Sequence, residues 1–500
     1  MTRVIASVLA RDRGQVLRDA RRAAMLGADW LELRLDHWSP HEDLAPLFAR
    51  IGLPVLVACR TPDDGGAWRG TLTERRELLT RALKAGAQGL DLEQWETWNP
   101  PAGGTRLRLR IRSFHSFTGV PKDLGRIRDE LAGEGVVAKI VVTAHDLADA
   151  APVFDLLRRT DQAVAPTVAF AMGRTAWPTR VLAAALGAPL VYGSLGAGEE
   201  AVPYQPPVDR LVGLYRVREL GRATRWFGLL GNPALHSLGP WLHNRAFRRL
   251  GVDAVYLPFE TSKPEAVLDM LPPERVCGLS VTAPFKQRLL ARCARVSDDA
   301  RGTDAVNTMV ASGDGLLGHN TDVVGVREAL QAAGAGREVG AAAVVLGAGG
   351  AARAAALALQ GLGYEVTMLG RSFDCARSFA EQHGVHLGSL SEQVIGRLAP
   401  RVVVHATPVG SHGRDGAERL LPGFTPGAGT IVLDMVYRPQ RTRLLRDAAA
   451  AGAIAVPGVE MFLAQARAQV GLFTGKDLPV AELRRFLAGS ALAAPVVRTP

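Results

Sequence analysis

Through the first 200 residues, short apolar runs alternate with amphipathic stretches. The runs at 3–9, 30–36, 55–60, 89–93, 108–115, 137–144, 164–170 and 190–195 have the length of buried strands and fall short of a helix. Apolar positions three and four residues apart predict helices between them, at 14–26, 73–85 and 179–186. Strand then helix, repeated in this way, predicts a compact (β/α)8 barrel. The pattern breaks at Val202-Pro203-Tyr204-Gln205-Pro206-Pro207. A helix is predicted over 208–218, a short connector follows at Gly221–Thr224, and a new strand opens at Trp226. A second α/β pattern then runs to about Asp322.

Further along, Ala343-Val344-Val345-Leu346 is a strand-length apolar run that passes straight into Gly347-Ala348-Gly349-Gly350-Ala351-Ala352-Arg353 and an Ala/Leu-rich helical pattern. This is G-x-G-x-x-A between strand and helix, the arrangement that cradles a dinucleotide pyrophosphate. Gly347 permits the tight turn and Gly349 lets backbone N–H groups approach the phosphates. Ala352 lets the helix pack closely on the strand. Gly347, Ala348, Gly349, Gly350 and Ala351 are therefore candidate cofactor-binding residues. The next strand, Glu365–Leu369, ends at Gly370-Arg371-Ser372. An acidic residue there would take the ribose hydroxyls of NAD. Arg371, with Ser372 beside it, suits the 2′-phosphate of NADP instead, so NADP(H) is the expected cofactor.

Composition narrows the classes. The 500 residues suggest two to four domains, and 47% hydrophobic with 22% charged is ordinary for chains with real cores. The net charge is +10, but the basic residues are dispersed and aromatics make up only 6%, which argues against a nucleic-acid partner. No uncharged apolar run reaches the ~18 residues of a membrane span. Strand-like sequence begins at Arg3, so no transit peptide is expected. Cys59, Cys277, Cys293 and Cys375 form no C-x-x-C pair, which speaks against a disulfide framework or a zinc site and for a reducing cytoplasm. No metal is expected. Only six of the 59 basic residues are Lys: 84, 122, 139, 263, 286 and 476. Arg cannot replace Lys where an amine must lose a proton or form an imine. Lys139 and Lys286 lie outside the polar and turn-like settings of the other four.

In the barrel half, polar residues fall at the C-terminal ends of the strands: Glu32, Arg34, Arg60, Asp64, His115 and Arg180. Lys139 interrupts Val136-Val137-Ala138-Lys139-Ile140-Val141-Val142, where burial would make the neutral, nucleophilic amine accessible. Arg residues converging on one mouth imply a carboxylate substrate. Glu32-Leu33-Arg34-Leu35-Asp36, Cys59-Arg60-Thr61, Ser113-Phe114-His115, Lys139 in its strand and Met172-Gly173 before Arg180 resemble type I 3-dehydroquinate dehydratase over about residues 1–210. The resemblance implies that Lys139 forms a Schiff base with the substrate ketone and that His115 is the acid/base. It implies that Arg180 holds the carboxylate and that Glu32, Arg34, Arg60 and Gln205 line the pocket. Asp64 stands where the family has Glu beside the His, and Ala201 where a substrate-binding Ser is usual.

In the second half, four segments carry hydroxyls, amides, an amine and a carboxylate at strand ends: His236-Ser237-Leu238-Gly239, Ser280-Val281-Thr282-Ala283-Pro284-Phe285-Lys286, Ala305-Val306-Asn307-Thr308 and Gly318-His319-Asn320-Thr321-Asp322. Such groups can bind a polyol acid. Together with His405-Ala406-Thr407-Pro408, Asp434-Met435-Val436-Tyr437 and Gly458-Val459-Glu460-Met461-Phe462-Leu463-Ala464-Gln465, they resemble shikimate dehydrogenase over nearly all of residues 225–500. The resemblance implies a catalytic pair, Lys286 and Asp322. It implies substrate contacts from Ser237, Thr282, Asn307, Tyr437 and Gln465, and cofactor contacts from Thr407, Met435 and Gly458. His405 stands for the family's Asn, and Gly239 for its second carboxylate-binding Ser.

The combined expectation is a barrel over 1–215, a substrate-binding domain over 225–325 with 459–500, and a Rossmann NADP-binding domain over 326–458. The implied activities are dehydration of 3-dehydroquinate to 3-dehydroshikimate and reduction of that product to shikimate. The alternative is a quinate/shikimate dehydrogenase with a weakened barrel half. Partners are expected to be these small molecules, with no nucleic acid and no membrane.

Overall fold

A computed structural model describes residues 1–39, 42–100, 107–196, 203–374, 376–411 and 420–488. Packing divides the chain into two compact units, residues 1–225 with 253–275, and residues 226–252 with 276–500.

In the first unit, β1 (Arg3–Leu9), β2 (Trp30–Arg34), β3 (Val55–Ala58), β4 (Gly89–Glu93), β5 (Leu109–His115), β6 (Val136–Thr143), β7 (Thr167–Met172) and β8 (Leu190–Gly193) form one parallel sheet. Its order is β7-β6-β5-β4-β3-β2-β1-β8. The two ends approach through Phe170 of β7 and Tyr192 of β8, whose ring centroids are 6.3 Å apart. The barrel carries a polar layer over an apolar plug. Ile5, Trp30, Leu56, Leu109, Ile111, Val137 and Leu190 belong to one buried cluster inside the sheet. Glu32, Asp91, Lys139 and Tyr192 come from the even strands β2, β4, β6 and β8, the alternate-strand layering that fills such barrels. Helices Arg13–Leu26 and Leu72–Lys84 are set by Asp12 accepting from Gln15 N and by a capping box between Thr71 and Glu74. This unit also takes in β10 (Ala254–Glu260).

The second unit holds a mixed sheet and a parallel one. In the first, β9 (Arg225–Gly231), β11 (Val276–Val281), β12 (Arg295–Val296), β13 (Thr308–Ser312) and β14 (Gly315–His319) follow the order β9-β11-β13-β14-β12. The second contains β15 (Ala342–Leu346), β16 (Glu365–Gly370), β17 (His386–Ser389), β18 (Val402–His405), β19 (Ile431–Asp434) and β20 (Ile454–Pro457), ordered β17-β16-β15-β18-β19-β20. This is the doubly wound order 3-2-1-4-5-6, whose reversal between β15 and β18 places a crevice outside the strand ends. β15 runs directly into the helix Gly350–Gly361. Among the described residues, no helix is long and apolar enough to cross a membrane.

Candidate active sites

The barrel's polar layer opens into a pocket lined by Glu32, Arg34, Arg60, Asp64, His115, Phe117, Lys139, Arg180, Tyr192 and Gln205 among others. Eight sequence-expected residues thus share one pocket. Lys139 is buried in the barrel, where it meets acids as well as apolar side chains. Its Nζ donates to Asp91 Oδ2 at 2.9 Å, lies 3.6 Å from Glu32 Oε1, and faces the Tyr192 ring at 4.1 Å. The adjacent Ala138 and Ile140 point to the outer face, while Val137 and Val141 share the inner face with Lys139, because period two sends alternate residues to opposite faces.

Asp91 carries no motif and is missed by sequence reasoning, yet it links Lys139 to Arg60, whose Nη2 donates to it at 2.6 Å. The available signal was Asp91 and Glu93, two acids on one face of an otherwise apolar strand. Burial pushes the Asp91 carboxyl up, but Arg60 and Lys139 outweigh this and hold it well below the usual carboxylate range.

His115 follows Ser113, which pairs with Lys139 across β5 and β6, so its ring lies on the same face one step nearer the mouth. Burial first, then the charges of Arg60 and Lys139, hold its pKa well below 6.5, with Asp91 opposing. The ring is a neutral base. Its Nδ1 is buried without a hydrogen-bond partner among the described residues. Among the described residues, Asp64 makes no hydrogen bond to His115. Asp64, fixed in the turn Pro62–Asp64, accepts instead from Trp95 Nε1 at 2.8 Å and Thr61 Oγ1 at 3.2 Å. That turn returns so tightly that a Cβ on Gly66 would meet the Arg60 carbonyl oxygen at 2.1 Å. Arg34 is tied to Asp36 by two bonds of 2.8 and 3.0 Å.

Arg180 differs from the other pocket cations. It is 3% exposed, stacks 3.9 Å over the Phe170 ring, and has no carboxylate partner among the described residues. Burial draws its pKa down to about 9. A buried, uncompensated guanidinium in a cavity is a binding site for an anion. Glu32 Oε1, Tyr192 Oη and Gln205 Oε1 are also buried without hydrogen-bond partners among the described residues. Ala201 lies outside the described residues.

In the second unit, Lys286 Nζ donates to Asp322 Oδ2 at 2.5 Å, with Lys286 the more exposed partner. Asn307 donates to Asp322 Oδ1 at 2.8 Å and to Thr321 Oγ1 at 2.9 Å. Both amide hydrogens are taken, so Asn307 braces Asp322 and presents no free donor to a ligand. Gln465 accepts from Thr321 Oγ1 at 3.3 Å and donates to the Phe462 carbonyl at 3.1 Å. Thr321, not singled out from sequence, is thus the hub of this bracing. Ser237 Oγ accepts from Gly239 N at 3.0 Å. Thr282 follows β11, and Tyr437 packs on Phe462 with ring centroids 5.4 Å apart.

The dinucleotide turn fits its expected ligand. Gly347 has φ +127°, and a Cβ there would meet the Ala406 oxygen at 3.1 Å and Thr407 Cγ2 at 3.2 Å. Around Gly349 nothing lies within 4 Å of a built Cβ, so the start of the helix is open to phosphate. Arg371 and Ser372 are exposed just past β16. Thr407 is held from below: its Oγ1 lies 2.6 Å from His405 Nε2, His405 Nδ1 is 2.9 Å from Asp434 Oδ1, and Asp434 Oδ2 accepts from Thr442 at 2.6 Å. Met435 and Gly458 follow β19 and β20. Among the described residues, no group of His, Cys, Asp and Glu could hold a metal.

Fold and sites define a chain that joins an amine-bearing parallel barrel to a dinucleotide-binding oxidoreductase unit. The sequence model for type I 3-dehydroquinase matches residues 4–222, and that for the shikimate dehydrogenase substrate binding domain matches residues 229–309. The chain is 31% identical over 503 residues to the chloroplastic bifunctional 3-dehydroquinate dehydratase/shikimate dehydrogenase of Arabidopsis thaliana, covering 95% of this chain and 82% of the relative. It is 42% identical over 269 residues to the NADP(+) shikimate dehydrogenase of Halobacterium salinarum, covering 52% of this chain and 97% of that protein. The chain belongs to the family of bifunctional 3-dehydroquinate dehydratase/shikimate dehydrogenases.

Proposed function

We propose that the protein catalyses two consecutive steps of the shikimate pathway: dehydration of 3-dehydroquinate in the barrel, and NADPH-dependent reduction of 3-dehydroshikimate in the second unit. The observation that supports this best is in the barrel, where one cavity holds a buried amine, a neutral imidazole and an uncompensated guanidinium.

Arg180 takes the substrate carboxylate. The Lys139 amine, after losing its proton, adds to the ketone carbon; water leaves and a protonated imine forms. This cation draws electrons from the adjacent carbon, so His115 can remove the α-proton. The resulting enamine expels the β-hydroxyl, to which His115 returns the proton, and water departs. Hydrolysis of the imine frees Lys139. Asp91 and Glu32 keep the amine aimed into the cavity.

In the second unit, the turn Gly347–Ala351 would hold the pyrophosphate and Arg371 with Ser372 the 2′-phosphate. Thr407, Met435 and Gly458 would border the nicotinamide end. NADPH, when bound, supplies hydride to the carbonyl carbon. Lys286 then gives a proton to the carbonyl oxygen, and Asp322, braced by Asn307, orients Lys286. Ser237 and Thr282 would bind the carboxylate end, and Tyr437 and Gln465 the ring. The domains are assigned as 1–215, 225–325 with 459–500, and 326–458, and the location as cytoplasmic.

The test is a coupled assay on the purified chain with 3-dehydroquinate and NADPH. Loss of NADPH absorbance that depends on both reagents is expected. No loss with 3-dehydroquinate, alongside oxidation driven by 3-dehydroshikimate, would refute the barrel activity. Gly239 offers no side-chain hydroxyl to the carboxylate site, so initial rates with shikimate and quinate, each with NADP and NAD, settle the preferred ring acid.

A further inference from the structure

Tyr192 belongs to no motif and takes no part in the chemistry above. It is 3% exposed and faces the barrel interior on β8, in the layer shared with Glu32, Asp91 and Lys139. One face of its ring lies 4.1 Å from Lys139 Nζ. Its ring also packs on Phe170, which carries the Arg180 guanidinium on its face. The hydroxyl is buried at the cavity without a hydrogen-bond partner among the described residues. Phe would fill the same volume with no unpaired polar atom, so a purely structural role leaves the hydroxyl as an uncompensated cost. Burial holds the phenol well above its ordinary pKa of 10, with Glu32 and Asp91 adding to the effect and Arg60 and Arg180 opposing it. The group is therefore a protonated donor at neutral pH.

We infer that Tyr192 is a further substrate-binding residue of the barrel reaction: its hydroxyl donates to the carboxylate end of the substrate beside Arg180, while its ring supports the cationic nitrogen that Lys139 contributes to the covalent adduct. This rests on the dehydratase reading. The two ends of one side chain then span the two ends of the ligand. The ring face favours a positive nitrogen, and the protonated imine stays positive for the whole life of the adduct. The hydroxyl acts on an anion whose main partner, Arg180, has no other counter-charge among the described residues.

The experiment compares the full chain with Tyr192→Phe and Tyr192→Leu. Borohydride reduction in the presence of 3-dehydroquinate should fix mass on Lys139 of the unsubstituted protein; if it does not, the dehydratase reading itself fails. If it does, Tyr192→Phe is expected to raise KM about tenfold, with kcat falling by less than KM rises. The same variant should melt at an equal or higher temperature than the parent, because the unpaired hydroxyl is gone. A KM within twofold of the parent, or a lower melting temperature, overturns the role given to the hydroxyl. Tyr192→Leu should trap at least tenfold more slowly than Tyr192→Phe at saturating substrate. Equal trapping rates would overturn the role given to the ring.

Discussion

Replacing Asp91 by Asn removes one negative charge and keeps the shape of the side chain. In the parent, that carboxylate is fully buried, 2.6 Å from Arg60 Nη2 and 2.9 Å from Lys139 Nζ. After substitution the two cations still face each other. Their remaining partners are weaker: Glu93 lies 3.5 Å from Arg60 and Glu32 lies 3.6 Å from Lys139. Removing one member of a buried ion pair costs about 3–5 kcal/mol. The residual contacts place Asp91→Asn near the lower end, about 3 kcal/mol. Urea unfolding followed by tryptophan fluorescence reads the barrel, since Trp30, Trp38, Trp68, Trp95, Trp98 and Trp177 lie in it and only Trp226 and Trp241 lie beyond. Lys139→Met removes one of the stranded cations. The double variant should therefore be more stable than the sum of the single effects by about 1 kcal/mol or more. A cost below about 1 kcal/mol for Asp91→Asn, with no coupling in the cycle, would refute the view that Asp91 is the counter-ion on which the layer depends.

Three further outcomes are expected. His115 has a folded pKa below its unfolded value of about 6.5, so the unfolded chain takes up the proton first as pH falls. Stability from this group is full above about pH 6.5 and declines as the pH drops toward the folded pKa, while the imidazole remains a competent base below 6.5. The acid limb of kcat/KM for dehydration should fall below pH 6.5, and a limb above it contradicts the argument. Lys286→Ala should cut reduction of 3-dehydroshikimate by roughly 100-fold or more and leave dehydration within twofold, measured in separate assays; loss of both activities would contradict independent chemistry. Arg371→Asp should lower the NADP-to-NAD selectivity ratio at least tenfold in steady-state kinetics, a loss of about 1.4 kcal/mol, and an unchanged ratio removes Arg371 from 2′-phosphate binding.

The strands of the barrel were legible because period and length survive in one dimension, and boundaries moved where local chemistry intervened. The seventh run, 164–170, begins instead at Thr167: Val164 is 81% exposed, Pro166 has no N–H to give a ladder, and Gln162 Oε1 caps Thr167 N at 2.7 Å. The second, 30–36, stops at Arg34, where Asp36 turns back to accept from Ala67 N at 3.1 Å and from Arg34. The helix predicted over 208–218 starts as expected but ends at Leu214, wound wide over Arg210–Leu214 and closed by Tyr215 N on the Arg210 carbonyl at 2.9 Å.

Residue order by itself determined the barrel periodicity, the dinucleotide turn with its Arg371, and the two amines, because each is a local pattern or the rarity of one residue type. Only the tertiary structure decided what those amines touch. Asp91 and Tyr192 reach Lys139 from strands 48 and 53 positions away in the chain (139 − 91 and 192 − 139), and Asp64 accepts from Trp95. The reason is geometric: closing a sheet brings alternate strands face to face across its axis, and a linear pattern of polar and apolar residues carries no record of which of them will meet there.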